Sequence, residues 1–472
     1  MPLTLIDHNH PETTEDDQRE PDVISVKRSQ PRCNFLSNIN RIDQRRASPT
    51  ANISTIMTLT LAFFFCIGTL FAEEPTSSNI DLDALNSSIA EHRMGTITIN
   101  AVPGVAVEIE QLQHEFWFGA AISSRPFEND YNEATATRYK ETFLENFNAA
   151  VTENALKWAQ MQPTPGPVQY ETLDAILNWT EANDIPLRGH CIFWGVPGRV
   201  QNWIKRLSDD QLEATLEARA LDIGRRYGDR FAEFDLNNEM LHANYYEQRL
   251  GPDITRKMTD WVREAAPEAK LFINDYDILT GRLVEDYIAQ IERFQEQGCA
   301  FDGVGVQGHL HADTFDRAAL QHSLDRLATL ELPIRVTEFN MPGQHSSFYR
   351  NRGRRLSPEE EERKARDLVD YYRICFAHPS VEGILMWGFW EGANWIPTSS
   401  LYRRDWTPTP AADAYQALVH DEWNTSVEGR TNADSRFESR AFFGTYRICV
   451  GDETRTVQLE KANGSLVIDF TQ

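Results

Sequence analysis

The sequence predicts an α/β protein, a (β/α)8 TIM barrel with small β-rich N- and C-terminal accessory segments. Two observations predict it. Between about 115 and 422 a short apolar, β-prone run gives way to a helical stretch of mixed charge, and the pattern recurs through eight runs and seven intervening helices. Chemically capable side chains gather at the C-terminal ends of those runs, the end where barrel active sites form.

In chain order, residues 1–72 read as a leader. They are polar to about residue 50, with Arg41, Arg45 and Arg46 preceding a nearly charge-free apolar run over 56–72 that Glu73-Glu74-Pro75 breaks. Basic charge, an apolar core and a small residue before a polar break describe a signal peptide, and the run is also long enough for an uncleaved membrane anchor. Met57, inside the run, offers an alternative start. Either form predicts a secreted, periplasmic or cell-envelope protein. Residues 73–111 form a linker and a short β segment, in which Gly95–Gln111 alternates around a Pro103-Gly104 turn.

The barrel is expected over 112–424. Its strand candidates are Phe116–Ser123, Ala149–Asn154, Leu187–Trp194, Phe231–Glu239, Leu271–Tyr276, Gly303–His309, Ile334–Asn340 and Val381–Glu391. Between them lie the helical stretches Thr135–Asn146, Tyr170–Asn183, Ser208–Tyr227, Asp253–Ala266, Arg282–Gln297, Asp316–Thr329 and Pro358–Phe376. Continuous apolar strands suit a parallel sheet covered by helices. An open doubly wound sheet is the competitor, but no glycine-rich phosphate turn follows an early strand. Residues 425–472 form a small β appendage, with Phe442–Val450, Thr456–Leu459 and Ser465–Phe470 as short strands. They need a partner surface, which the N-terminal β segment can supply. Phe442-Phe443-Gly444-Thr445-Tyr446 marks either a ligand surface or a packing element.

Composition narrows the function. Lys and Arg number 46 against 71 Asp and Glu, a formal charge of -25, which argues against nucleic acid or an anionic membrane gripped by the whole surface. After the leader, Cys191, Cys299, Cys375 and Cys449 are widely spaced, so neither a zinc site nor a dense disulfide framework is indicated; buried free thiols are expected. Walker, HExxH and GxSxG motifs are absent from the sequence. His309 and His311, with His190, leave a metal site as a minor alternative.

Glu239 and Glu338 each terminate an apolar strand, where an unpaired charge is costly. On the fourth and seventh strands they can face one another across the barrel mouth, the arrangement glycoside hydrolysis uses; salt-bridged rim carboxylates are the alternative. Mutual repulsion and desolvation push the proton affinities of such a pair apart. Sugar rings offer hydroxyl edges and weakly apolar faces, so a sugar cleft combines amides, imidazoles and flat aromatics. Trp158, Trp194, Trp387 and Trp395 stand near strand ends beside Asn154, Lys157, His190, Asn238, Gln307 and His309.

These residues bear a family resemblance. Phe147-Asn148 leading into Glu153-Asn154-Ala155-Leu156-Lys157-Trp158, Gly189-His190-Cys191-Ile192-Phe193-Trp194, Phe234-Asp235-Leu236-Asn237-Asn238-Glu239, Ile273-Asn274-Asp275-Tyr276, Gly305-Val306-Gln307-Gly308-His309, Thr337-Glu338-Phe339 and Trp387-Gly388-Phe389-Trp390-Glu391 with Trp395 resemble, in order, the motifs of the glycoside hydrolase family 10 xylanases. Pro408 and Pro410-Ala411 resemble that family's closing segment, and the likeness runs over about 112–422.

The resemblance implies a retaining endo-1,4-β-xylanase, with Glu239 as acid/base and Glu338 as nucleophile. Asn238 falls to the sugar 2-OH, His190 and Trp194 to the reacting sugar, and His309 to orienting the nucleophile. It assigns Glu153, Asn154, Lys157, Asn274, Tyr276, Gln307, Trp387 and Trp395 to substrate binding. It implies no cofactor and no metal, a β-1,4-linked xylan or xylo-oligosaccharide as partner, and a monomer. Another β-1,4-glycanase acting on cellulose or mixed-linkage glucan, and a catalytically weak polysaccharide-binding homologue, are the alternatives. Four positions depart from the pattern: Phe234 for Trp, Gly195 for His, Asn340 for Asp and Glu391 for Asp. The insert Met341–Ser357 is expected to reshape the rim beside Glu338.

Overall fold

The computed structural model describes residues 80–344 and 354–471. The expected leader and the middle of the insert after Glu338 lie outside the described residues. Among the described residues, no helix is long and apolar enough to cross a membrane.

Two strands precede the barrel, β1 (Met94–Asn100) and β2 (Ala106–His114). The barrel strands are β3 (Trp117–Ile122), β4 (Ala149–Thr152), β5 (Leu187–Gly189), β6 (Phe193–Trp194), β7 (Glu233–Asn238), β8 (Leu271–Asp275), β9 (Gly303–Val306), β10 (Ile334–Phe339) and β11 (Val381–Met386). Five more follow it, β12 (Ser426–Arg430), β13 (Arg436–Phe442), β14 (Gly444–Val450), β15 (Glu453–Leu459) and β16 (Ser465–Asp469).

From β5 through β4, β3, β11, β10, β9 and β8 to β7, every neighbour pair is parallel, and β5 pairs back with β7 to close the ring. The expected third strand is therefore two pieces. β5 and β6 both pair with β7, and His190-Cys191-Ile192 bulges between them, with Ile192 N–H donating to Asp235 O at 2.9 Å. The eighth strand likewise stops at Met386, before the run expected to Glu391.

Helices cover the outside because their apolar residues fall on one face. Helix Asp209–Tyr227 starts at a Ser208/Gln211 capping box and buries Leu212, Leu216, Ala220, Ile223 and Tyr227, one stripe at helical spacing. Helix Pro358–Ala377 begins the same way, at Ser357 and Glu360 with proline in its first turn.

The base of the barrel interior is charged rather than apolar. Arg188 on β5 pairs with both Glu233 and Asp235 on β7, and Arg335 on β10 grips Glu233 through bonds of 3.1 and 3.0 Å. Isolated buried ions cost several kcal/mol each, so the cluster persists because two guanidinium groups meet two carboxylates. Cys191, Cys299, Cys375 and Cys449 are all free and buried.

The β segments on either side of the barrel in sequence are one module in space. β1 lies between β13 and β16 in one sheet; β2 lies between β12 and β14 in a second, which β15 extends. Ile97, Ile99, Val107, Ile109, Tyr446, Ile448 and Leu459 form their shared core. β2 runs to His114, so residues 112–114, expected in the barrel, belong to this module. The Phe442–Tyr446 stretch packs, with Phe442, Phe443 and Tyr446 buried.

The module sits against the N-terminal ends of the barrel strands. Arg93 donates to the carbonyls of Phe376, His378 and Val381 at 2.7, 2.5 and 2.7 Å, and Lys461 reaches Pro379 O at 3.3 Å. An aromatic cluster of Phe116, Phe376, Trp423 and Phe442 fills the seam. It therefore braces the end of the barrel away from the residues described next.

Candidate active site

The strand ends bring the expected residues together. Glu338, near the end of β10, is buried; Asn274 Nδ2 donates to its Oε1 at 2.8 Å and the His309 Nε2–H to its Oε2 at 3.2 Å. His309 reaches it because Gly308 turns the chain with φ 74°, and a Cβ there would lie 2.7 Å from Val336. His190 Nδ1 stands 3.8 Å from Glu338 Oε1 while donating to Asp235 Oδ2 at 2.8 Å. Burial works to raise the Glu338 carboxyl. The positive fields of His190 and His309, the His309 hydrogen bond and the Lys157 charge outweigh it, bringing the carboxyl down to about 2.

Glu239 follows β7 in a left-handed conformation, φ 62°, which is costly for a side chain of this type. Its backbone N–H is held by Asn274 O at 2.8 Å. Among the described residues its half-buried carboxylate accepts from neutral donors, Trp194 Nε1 to Oε2 at 2.9 Å and Gln307 Nε2 to Oε1 at 3.1 Å. Asn238 Oδ1 accepts from Asn274 Nδ2 at 3.1 Å and Gln307 Nε2 at 3.4 Å. Gln307, Asn238 and Asn274 thus form an amide bridge between the two glutamates. Thr337 Oγ1 donates to Asn274 Oδ1 at 2.7 Å and so fixes which way that amide faces.

Around this pair, Lys157 donates to Asn154 Oδ1 at 3.1 Å and stands over both Trp194 and Trp387, 4.9 and 5.4 Å from the ring centroids. Burial raises the Glu153 carboxyl above its ordinary range, against the opposing pull of Lys157, Asn154 and Arg125. Trp387 meets His190 edge-on at 5.2 Å, and Trp395, 38 % exposed, stands 5.6 Å from His309. Tyr276 directly follows β8 and stacks on His242. Trp158 does not join them. It is buried, donates to Gln162, and packs edge-on against Phe193 and Trp203, so it belongs to the core rather than the cleft.

The four departures have local reasons. Asn340 needs one donor and one acceptor, giving its amide to Ser399 Oγ at 3.0 Å and taking Trp395 Nε1 at 3.1 Å. Gly195 leaves room for the loop after β7, since a Cβ there would lie 3.2 Å from Asn244 Oδ1 and 3.1 Å from Tyr246. Phe234 packs beside Phe231 at 4.8 Å. Glu391, buried, pairs with Arg355 at the end of the insert and accepts from Arg404 N–H at 3.0 Å. Among the described residues, no three His, Cys, Asp or Glu side chains converge on a metal position.

This geometry has a counterpart among known proteins. The family model described as Glycosyl hydrolase family 10 matches residues 109–420. The chain belongs to glycosyl hydrolase family 10. It is 34 % identical over 398 residues to anti-sigma-I factor RsgI6 of Acetivibrio thermocellus, covering 82 % of this chain and 49 % of that protein. It is 33 % identical over 374 residues to endo-1,4-beta-xylanase 1 of Arabidopsis thaliana, covering 77 % of this chain and 37 % of that protein. The chain thus spans about half or less of these relatives. Native xylanase 10B from Thermotoga maritima shares its fold at 22 % identity with a TM-score of 0.58, over 65 % of this chain and 96 % of that one.

Two polar residues of this family 10 site escape the sequence: Asp235, which holds the His190 ring, and Arg188, which holds Asp235. The available signal was a run of charged residues at alternate positions, Glu233 and Asp235, inside an otherwise apolar barrel strand.

Proposed function

We propose that this chain is an endo-1,4-β-xylanase that hydrolyses internal bonds of xylan with retention. The observation that carries the reading is the contrast between its two site glutamates. Glu338 is buried among His190, His309 and Asn274 and stays anionic; Glu239 is held by an indole and an amide that bear no charge. Glu338 attacks the anomeric carbon as Glu239 gives its proton to the glycosidic oxygen, and the leaving sugar departs. Water then attacks the glycosyl-enzyme ester, with Glu239 taking its proton, and Glu338 is released.

His309 and Asn274 hold the nucleophile, and Gln307 and Trp194 hold the acid. Asn238 serves the sugar 2-OH, and His190 with Trp387 bounds the reacting sugar. Glu153, Asn154 and Lys157 bind the sugars on the non-leaving side; Tyr276 and Trp395 supply aromatic surfaces. The relatives named as endo-1,4-beta-xylanases support xylan over β-1,4-glucans. The barrel is read as acting as a monomer, which the mass of the protein in solution tests. The apolar run over 56–72 directs export or anchors the protein at the cell envelope, which fractionation of cells expressing the full chain tests.

The deciding experiment is a panel of xylan, arabinoxylan, glucuronoxylan, cellulose and mixed-linkage glucan, read by product size. Internal cleavage of the xylans with little action on the glucans is expected; faster cleavage of either glucan overturns the assignment. A second reading is a polysaccharide-binding homologue with little turnover. Binding of xylohexaose without cleavage by the unmodified protein would select it.

A further inference from the structure

We propose that His242 is a positioning residue for the leaving-group sugar, acting through Tyr276 and the backbone turn of Glu239. The proposal rests on Glu239 being the acid that protonates the departing sugar.

Four observations support it. The imidazole of His242 lies flat on the Tyr276 ring, with centroids 3.4 Å apart and planes 10° apart. Its Nδ1–H donates to Asp275 Oδ1 at 2.8 Å. The buried Asp275 carboxylate also takes Tyr276 N–H on that oxygen at 2.9 Å and Leu241 N–H on Oδ2 at 2.8 Å. His242 and Ala243 N–H both donate to Glu239 O at 3.2 Å, so the residue that bears the acid is the cap of the same turn. One buried carboxylate therefore fixes the turn after β7, the start of the loop after β8 and the plane of an aromatic ring.

The placement of these groups identifies the ligand. Going round the ring, β8 stands across the barrel from β3 and next but two from β4, whose following loop carries Asn154 and Lys157. A glycan crossing the mouth from the β4 side over Glu338 passes Glu239 and then meets the Tyr276–His242 pair. Asn274 O holds the Glu239 N–H at 2.8 Å, so Tyr276, two residues further on, begins its loop beside the acid, and sugar faces stack on rings such as that of the pair. His242 itself keeps 23 % of its side chain exposed, as expected of the outer member of a stacked platform.

The test compares two substrates in the full chain. Xylopentaose places a sugar beyond the cleaved bond; 2,4-dinitrophenyl β-xylobioside has no such sugar and a leaving group that needs little protonation. For His242→Ala, the ratio of kcat/KM on xylopentaose to that on the aryl substrate is expected to fall about tenfold or more. His242→Phe, which keeps a flat ring, should restore most of the ratio, and His242→Gln, which keeps only a hydrogen bond, should not. Melting temperatures measured in parallel show whether each variant is folded, and the Phe and Gln pair decides the matter if the alanine variant is not. A ratio within about twofold of the unmodified enzyme, or equal rescue by Phe and Gln, overturns the proposal alone. Failure of the unmodified enzyme on both substrates overturns the xylanase reading and the proposal with it.

Discussion

At the residue scale, the account turns on how the neighbours of Glu338 set its charge. Glu338→Gln should lower kcat on xylan by about 10⁴-fold or more in steady-state assays, since an amide in its place cannot form the glycosyl ester. His309 depresses the Glu338 carboxyl through a hydrogen bond and a positive field. His309→Ala should therefore move the acid limb of the kcat/KM profile to higher pH, whereas an unmoved limb would separate that limb from Glu338. Depression from 4.5 to about 2 also has a stability consequence. The contribution of the ionised group is fully present above pH 4.5 and is lost as pH falls toward about 2, so the stability gap between the parent and Glu338→Gln should change across that interval in denaturant titrations. At this scale the sequence showed the two glutamates and their amide and imidazole neighbours, because each closes an apolar run. It concealed Asp235, Arg188 and His242, whose roles depend on side chains meeting across strands, and it placed Trp158 in the cleft because proximity to a strand end does not say which way a ring turns.

At the scale of elements, barrel strands such as β4, β8 and β9 were legible because they are buried on both faces and begin as apolar runs. The break between β5 and β6 was not, since the apolar Cys191–Trp194 continues the run that Leu187 opens and reads as one strand with it. That break points His190 at Asp235, and Arg188 anchors Asp235 from the strand immediately before it. Arg188→Met should cost about 3–5 kcal/mol by leaving Glu233 and Asp235 buried with less positive charge, measured by chemical denaturation. A loss below about 1 kcal/mol would mean that Arg335 alone compensates both.

At the scale of the whole described chain, the union of the flanking β segments could be anticipated only as a possibility. β1 pairs with β13 and β16, more than three hundred residues on, and a register of that range is written in no local motif. Its position below the barrel explains why it contributes nothing to the cleft and why its seam is aromatic. Phe442→Ala should cost about 3–5 kcal/mol and lower a single melting transition shared by module and barrel. Two separated transitions would show instead that the module folds on its own.

The most direct test of the whole account is mass spectrometry of the protein after inactivation by 2,4-dinitrophenyl 2-deoxy-2-fluoro-β-xylobioside, which slows release of a glycosyl ester. A fluoroxylobiosyl mass increment on the peptide containing Glu338, and on no other, is predicted. A label on the Glu239 peptide, or turnover of the unmodified enzyme on xylan with no ester trapped, would contradict it.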